Sequence, residues 1–184
     1  LGIVNVIGST IARETEAGIY NHIGPEIAVA STKAFMSQLT ILALMTVYLG
    51  RMRDMSLANG IQILKDLQGL PALISKILAN AHCVEEVAKK YADAKHMFFL
   101  GRGYQYPIAL EGALKLKEVA YIHAEGYNGG EMKHGPIALI DPIFPTFIIA
   151  LNDPLYEKNI SHIHELKVRG GRVIALATEG NTDI

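Results

Sequence analysis

A single cysteine, Cys83, in 184 residues leaves no partner for an intramolecular disulfide, which sets an intracellular, cytoplasmic location as the expectation. Its own expected role is helix packing. An excess of positive charge is also lacking: 17 Lys and Arg against 18 Asp and Glu give a net charge of -1. With no basic arm and no aromatic-basic interleaving, attraction to a phosphate backbone is weak, and nucleic acid is not an expected partner. Long apolar runs are few. The longest, MSQLTILALMTVYLG at 36–50, is broken by Ser37, Gln38, Thr40 and Thr46 and falls short of the roughly 20 residues of a membrane span. It reads as a core helix, and no membrane association is expected. The N-terminus shows no cationic region leading to a cleavage site, so nothing there reads as a secretion signal.

What is present is apolar residues, 50% of the chain, and 19% charged ones, enough to build a globular core in one large or two small domains. The run LGIVNVIG has strand length and is closed by Gly8; STIARETEAG reads as helix, GIYNH as a short strand, and GPEIAVASTKAF as the lead into a long helix ending near Gly50 to Asp54. Residues 57 to 93 are helical in pattern, with Pro71 expected to restart a helix after Gly69. HMFFLGRG then reads as a buried strand ending in glycines, and a helix follows over EGALKLKE. Further along come a strand near YIHAEGY, a turn and helix around GGEMKHGP, the strand TFIIAL, a helix over about 154–169 and the strand RVIALAT. Strands alternating with helices predict βαβ units: an α/β fold in three αβα layers, with parallel sheets flanked by helices. The two halves rhyme weakly, though spacing alone establishes no repeat.

EGALKLKE, residues 111–118, places Glu111, Lys115 and Glu118 on one helical line within about 60° of one another. Ile108 and Val119 border it on one side, Leu114 and Tyr121 on the other. An exposed ion-paired face is one reading. The narrowness of the stripe and its apolar borders favour the other, a cleft in which a carboxylate beside an ammonium can transfer protons. In FFLGRGYQYP a strand runs into Gly101 and Gly103 and then into a helix, the position where open parallel sheets bind ligands. Such glycines equally serve a tight turn. GGEMKHGP presents His134 after the flexible pair Gly129-Gly130, and histidine suits acid-base work near neutrality; a surface loop residue is the alternative. His123, in an apolar strand, reads as a hydrogen-bonded core histidine. In VASTKAF, Ser31 or Thr32 is expected to cap the long helix, a position that can also attract anions and hydroxylated ligands.

Together, GPEIAVASTKAF, FLGRGYQYPIALEGALKLKE and YIHAEGYNGGEMKHGP resemble the isomerase part of the glucosamine-6-phosphate synthase family, the glutamine:fructose-6-phosphate amidotransferases, in the right order and along essentially the whole chain. The resemblance implies parts of two tandem sugar isomerase (SIS) domains: residues 1–56 the C-terminal part of the first, 57–90 connecting helices, and 91–184 most of the second. It implies that ammonia from an N-terminal glutaminase domain reacts with open-chain fructose 6-phosphate, and that the imine is isomerised to glucosamine 6-phosphate without metal or cofactor in a homodimer. By motif, Glu118 corresponds to the base moving a proton between C1 and C2. Lys115 corresponds to a group assisting ring opening and proton relay, and His134 to the ring-opening acid or base contributed across a dimer interface. Val29 and Ser31 match residues lining the sugar site, while Glu111 has no role beyond orienting Lys115. The family's Ser/Thr-rich phosphate loop and glutaminase would precede Leu1, and its C-terminal tail with a substrate-facing lysine would follow Ile184. The 184 residues alone are therefore expected to be inactive. Two other activities fit some of the same features: a fructosamine-6-phosphate deglycase, which could use the same residues, and a non-catalytic sugar-phosphate sensor, which would not need Glu118, Lys115 and His134.

Overall fold

The computed structural model describes all 184 residues and divides into two compact units, Leu1–Val84 and Glu85–Ile184. In the first, β1 (Gly2–Val4) and β2 (Gly18–Tyr20) form a two-stranded parallel sheet around the short helix α1 (Thr10–Glu14), which Ser9 caps by accepting from the Ala12 N–H. Two long helices follow, α2 (Lys33–Arg51) and α3 (Leu57–Ala79). They meet where Gly60 lies against Val47 and the stem of Arg51; a β-carbon there would be 3.2 Å from Arg51 Cδ.

Three expectations change in this unit. The run at 36–50 forms the expected helix, but only Val47 of α2 is buried, while Met36, Leu39, Leu42, Leu44, Tyr48 and Leu49 are exposed. By length and composition alone α2 could cross a bilayer, with a mean hydropathy of 1.3 over its best window. Pro71 restarts nothing: α3 is continuous through it. Its surroundings are mostly exposed, so the carbonyl freed by the missing N–H is within reach of water rather than stranded in a core. Cys83, on α4 (Ala81–Lys90), is exposed and packs no helix interface.

The second unit is a three-layer α/β sandwich. Its four strands are β3 (His96–Gly101), β4 (His123–Asn128), β5 (Thr146–Ala150) and β6 (Val173–Ala177), all parallel in the order β4-β3-β5-β6. β3 sits inside the sheet and is apolar on both faces, as a strand covered twice must be. Phe98 and Leu100 join Ile148, Ile163 and Leu166 beneath α6 (Tyr156–Val168). Met97 and Phe99 join Ala109, Ala113 and Ala124 beneath α5 (Gln105–Ala120). The chain leaves β3 toward β4 on one side and returns past it to β5 on the other. That reversal is the switch point at which parallel sheets leave a crevice beyond their carboxyl ends. The expected helix around GGEMKHGP is instead two short 3-10 turns, Met132–His134 and Pro136–Leu139.

The turn from β3 into α5 leaves no room at Gly101, where a β-carbon would lie 2.2 Å from the Gln105 carbonyl oxygen. Gly103 has φ +52°, in the left-handed region. One glycine thus serves close approach and the other chain reversal. Gly101→Ala is expected to shift backbone rather than a side-chain tip and to cost on the order of 2–3 kcal/mol. A denaturation midpoint equal to the parent's would contradict this.

A candidate active site on helix α5

The register of α5 follows from its small residues. Ala109 and Ala113, each 1% exposed, face the sheet, and Gly112 rests against the Phe99 ring, 3.0 Å from where its β-carbon would be. Glu111, Lys115 and Glu118 then fall on the far side of the helix, about 140–180° round from the Ala109–Ala113 line. Lys115 Nζ lies 3.1 Å from Glu111 Oε1 and 3.1 Å from Glu118 Oε2, with side chains 26%, 22% and 26% exposed respectively. Nonpolar surroundings would lower the pKa of Lys115, but the two carboxylates outweigh them and raise it. Lys115 is therefore an ammonium at neutral pH, fitted to stabilise negative charge and to donate a proton rather than abstract one.

The apolar borders do not wall this stripe. Ile108, Leu114, Val119 and Tyr121 are exposed, and the trio lines none of the four principal cavities. A cavity of about 750 Å³ lies along α6 and is lined by residues including Lys133, Ile137, His164, Glu165 and Arg169. An enclosed α5 site would need a further segment laid over its charged face. The bordering side chains are apolar enough to be covered and are left uncovered within this unit.

His134 is exposed at the end of its 3-10 turn; only its backbone N–H is bonded, to the Glu131 carbonyl. It makes no ion pair with the trio. Gly129 and Gly130 are not a hinge in left-handed backbone. They make room for Arg102, whose Nε would be 3.1 Å from a β-carbon at Gly129 and whose Nη1 would be 3.4 Å from one at Gly130. His123 is exposed rather than core, because β4 is an edge strand; its Nδ1 meets His96 Nδ1 at 3.1 Å and its Nε2 meets Glu125 Oε1 at 3.4 Å. Glu125 in turn accepts from the Tyr127 hydroxyl, which holds its carboxyl below the usual range.

In the first unit Val29 is 86% exposed on the loop before α2. Neither Ser31 nor Thr32 caps α2 by its side chain. Thr32 is the N-cap residue without a side-chain bond, and Glu26, which the sequence reading passed over, takes that role. Its carboxylate accepts from the N–H groups of Thr32 (3.1 Å) and Ala34 (3.2 Å) and from the Ser31 hydroxyl (3.4 Å). A carboxylate five to eight residues upstream is outside the usual capping pattern, so only the folded loop reveals it. Among other residues missed are Arg102, His162 and Glu165, connected side chain to side chain. The His162–Glu165 spacing of i, i+3 on one helix was the available signal.

The SIS domain model matches residues 90–184. Over its whole length the chain is 51% identical to a protein of Thermus thermophilus named glutamine–fructose-6-phosphate aminotransferase [isomerizing], of which it spans 31%. It is 50% identical, again over the whole chain, to a protein of that name from Chlorobaculum tepidum, of which it spans 30%. The C-terminal domain of glucosamine-fructose-6-phosphate aminotransferase from Francisella tularensis superposes with a TM-score of 0.92 at 39% identity, over 96% of this chain and 50% of that one.

The Glu26 cap carries a pH dependence. The Thr32 N–H first, and the Ala34 N–H, Ser31 and Lys33 after it, hold its carboxyl below the ordinary value against an opposing burial effect. A carboxyl lowered on folding contributes above its unfolded value, about 4.3, and loses that contribution as pH falls through the lower folded value. Amide-exchange protection at Thr32 and Ala34 is expected to fall with acid below about pH 4, and Glu26→Ala should have low protection there already at neutral pH. Protection indifferent to both changes would assign the cap elsewhere.

Proposed function

Because the chain belongs to the SIS domain family, we propose that it is the isomerase part of a glutamine:fructose-6-phosphate aminotransferase, converting fructose 6-phosphate and glutamine-derived ammonia to glucosamine 6-phosphate. The observation that carries this reading is Lys115 held as an ammonium 3.1 Å from each of two carboxylates, in a chain aligned throughout with enzymes of that name. In this reading residues 1–56 belong to one sugar isomerase domain, 57–90 connect, and 91–184 form most of the second. A glutaminase domain supplies the ammonia, and the enzyme is a cytoplasmic homodimer.

Ring opening moves the proton of the anomeric hydroxyl at C2 and delivers one to the ring oxygen as the C2–O bond breaks; His134 is the acid and base for that exchange. Ammonia adds to the freed C2 carbonyl and water leaves, giving an imine. Glu118 then takes a proton from C1 while Lys115 gives one to the imine nitrogen. A C1=C2 bond forms as the C=N electrons move to nitrogen, giving an enolamine, and Lys115 regains its proton from the C1 hydroxyl in the last step. The same group returns a proton to C2, and loss of the C1 hydroxyl proton leaves the aldehyde of glucosamine 6-phosphate. Lys115 stabilises the oxygen that carries charge during these transfers and relays its proton. Glu111 holds Lys115 from the other side. Val29 and Ser31 contact the sugar, with Ser31 oriented by Glu26. No step calls for a metal or organic cofactor. A deglycase would use the same side chains without a glutaminase, so the presence of that domain in the full-length protein separates the two activities. A sensor would tolerate loss of Glu118.

In the full-length protein, Glu118→Gln keeps the shape but not the basicity. Isomerisation is expected to fall by about 10²–10⁴-fold while glutamine hydrolysis and fructose 6-phosphate binding persist; a rate close to the parent's would make Glu118 structural. For His134 acting across the dimer, mixing Glu118→Gln with His134→Ala subunits should restore about a quarter of parental activity. Half the dimers are then hybrid, and one of the two sites in each is intact. Verified hybrids without recovery would confine His134 to its own subunit or remove it from catalysis.

A further inference from the structure

One connected set of charged and titratable side chains stands outside the α5 trio, beginning at the carboxyl end of β3. Arg102 donates to Nε2 of His162. His162, only 5% exposed on α6, meets Glu165 Oε2 through Nδ1 at 3.3 Å. The other oxygen of Glu165 is 2.7 Å from Lys133 Nζ. A guanidinium only donates, so His162 Nε2 accepts, and the ring proton sits on Nδ1 and is given to Glu165. Burial first, and the charge of Arg102 next, lower the pKa of His162, keeping it neutral in that tautomer. Burial pushes the Glu165 carboxyl up, but Lys133 and His162 outweigh it and hold it below its ordinary value.

The series ends one residue before His134. The turn that carries His134 has few other restraints: Met132 is buried in the core beside Phe98, Ile163 and Leu166, and its backbone bonds, Glu131 to Asn128 and His134 to Glu131, are local. After it comes Gly135 at φ +153°, a conformation with no side-chain support. Beneath its start, Arg102 fills the space left by the missing β-carbons of Gly129 and Gly130. Met132 fixes the depth of the turn. Lys133 ties the turn to α6, so both residues immediately before His134 are anchored.

We propose that the Lys133–Glu165 ion pair, braced from beneath by His162 and Arg102, aims the His134 imidazole, so that Lys133 and Glu165 are positioning residues for ring opening. This rests on the reading of His134 as the ring-opening group. Magnitudes separate the role from simple stabilisation. The Lys133 side chain is 57% exposed, and such a pair adds little to folding stability, whereas misplacing a reacting group by about 1 Å can cost on the order of 10²-fold in rate.

The test uses the full-length protein and four variants: Lys133→Ala, Lys133→Arg, Glu165→Gln and His134→Ala. Lys133→Ala and Glu165→Gln are expected to lower kcat from fructose 6-phosphate by about 10- to 100-fold while KM stays within about twofold. Affinity for an open-chain hexitol 6-phosphate should not change, and melting of Lys133→Ala should stay within about 2 °C of the parent. Amide exchange at His134 should quicken. Lys133→Arg, able to reach Glu165, should recover most of kcat. Parental kcat in Lys133→Ala and Glu165→Gln beside an inactive His134→Ala would overturn the positioning role and leave the ring-opening reading standing. Weakened hexitol phosphate binding in Lys133→Ala would also overturn it, since Lys133 would then touch the sugar. Parental activity in His134→Ala would remove the ring-opening reading itself.

Discussion

Between Gly101 and Gln105 the backbone turns so tightly that a β-carbon would sit 2.2 Å from a carbonyl oxygen, and much of the second unit's chemistry is laid out from that turn. It ends the strand buried on both faces and starts α5 within four residues. It therefore fixes the phase in which Ala109 and Ala113 meet the sheet and Glu111, Lys115 and Glu118 face outward. It also places Arg102 at the sheet's carboxyl edge, where the chain reverses past β3 toward β5. Two charged assemblies thus start from one turn, one running along α5 and the other through α6 to the segment carrying His134.

The two assemblies solve different electrostatic problems. On α5 a cation is shared between two carboxylates on a partly exposed face, an arrangement whose favourable contacts all lie on one helix and need no tertiary support beyond the helix's orientation. Around His162 the partners come from β3's loop, α6 and the 3-10 turn, and the histidine is almost wholly buried. A buried imidazole is tolerated when both nitrogens are engaged, one accepting and one donating. Here both are, while the buried Arg102 Nε has no hydrogen-bond partner.

The order of strands and helices was legible, because a strand covered on both faces must be continuously apolar, as HMFFL is, and a strand-glycine-helix junction announces itself. The α5 trio was legible for a related reason: its spacing of four and three residues is a property of the helix alone. What misled were inferences about surroundings. Apolar borders beside the trio suggested walls, yet side chains at helix positions flanking a stripe are walls only if something packs against them. His123 read as core because its neighbours in sequence are apolar, and edge placement left it exposed. The run at 36–50 read as core by composition, but composition records a capacity for burial, and within its unit α2 has mainly α3 to bury against.

The sequence by itself determined local periodicity and therefore the α/β class, the parallel strands of the second unit and the alignment of Glu111, Lys115 and Glu118. These depend on residues within two helical turns or one strand of each other. Only the tertiary structure decided that Glu26 rather than Ser31 or Thr32 caps α2, that Gly129 and Gly130 yield space to Arg102, and that His162 and Glu165 link Arg102 to Lys133. Arg102 and His162 stand 60 residues apart in the chain. Hydrogen bonds and steric exclusion act over a few ångströms of space, whatever the separation along the chain, and no periodicity encodes which distant backbone will arrive there.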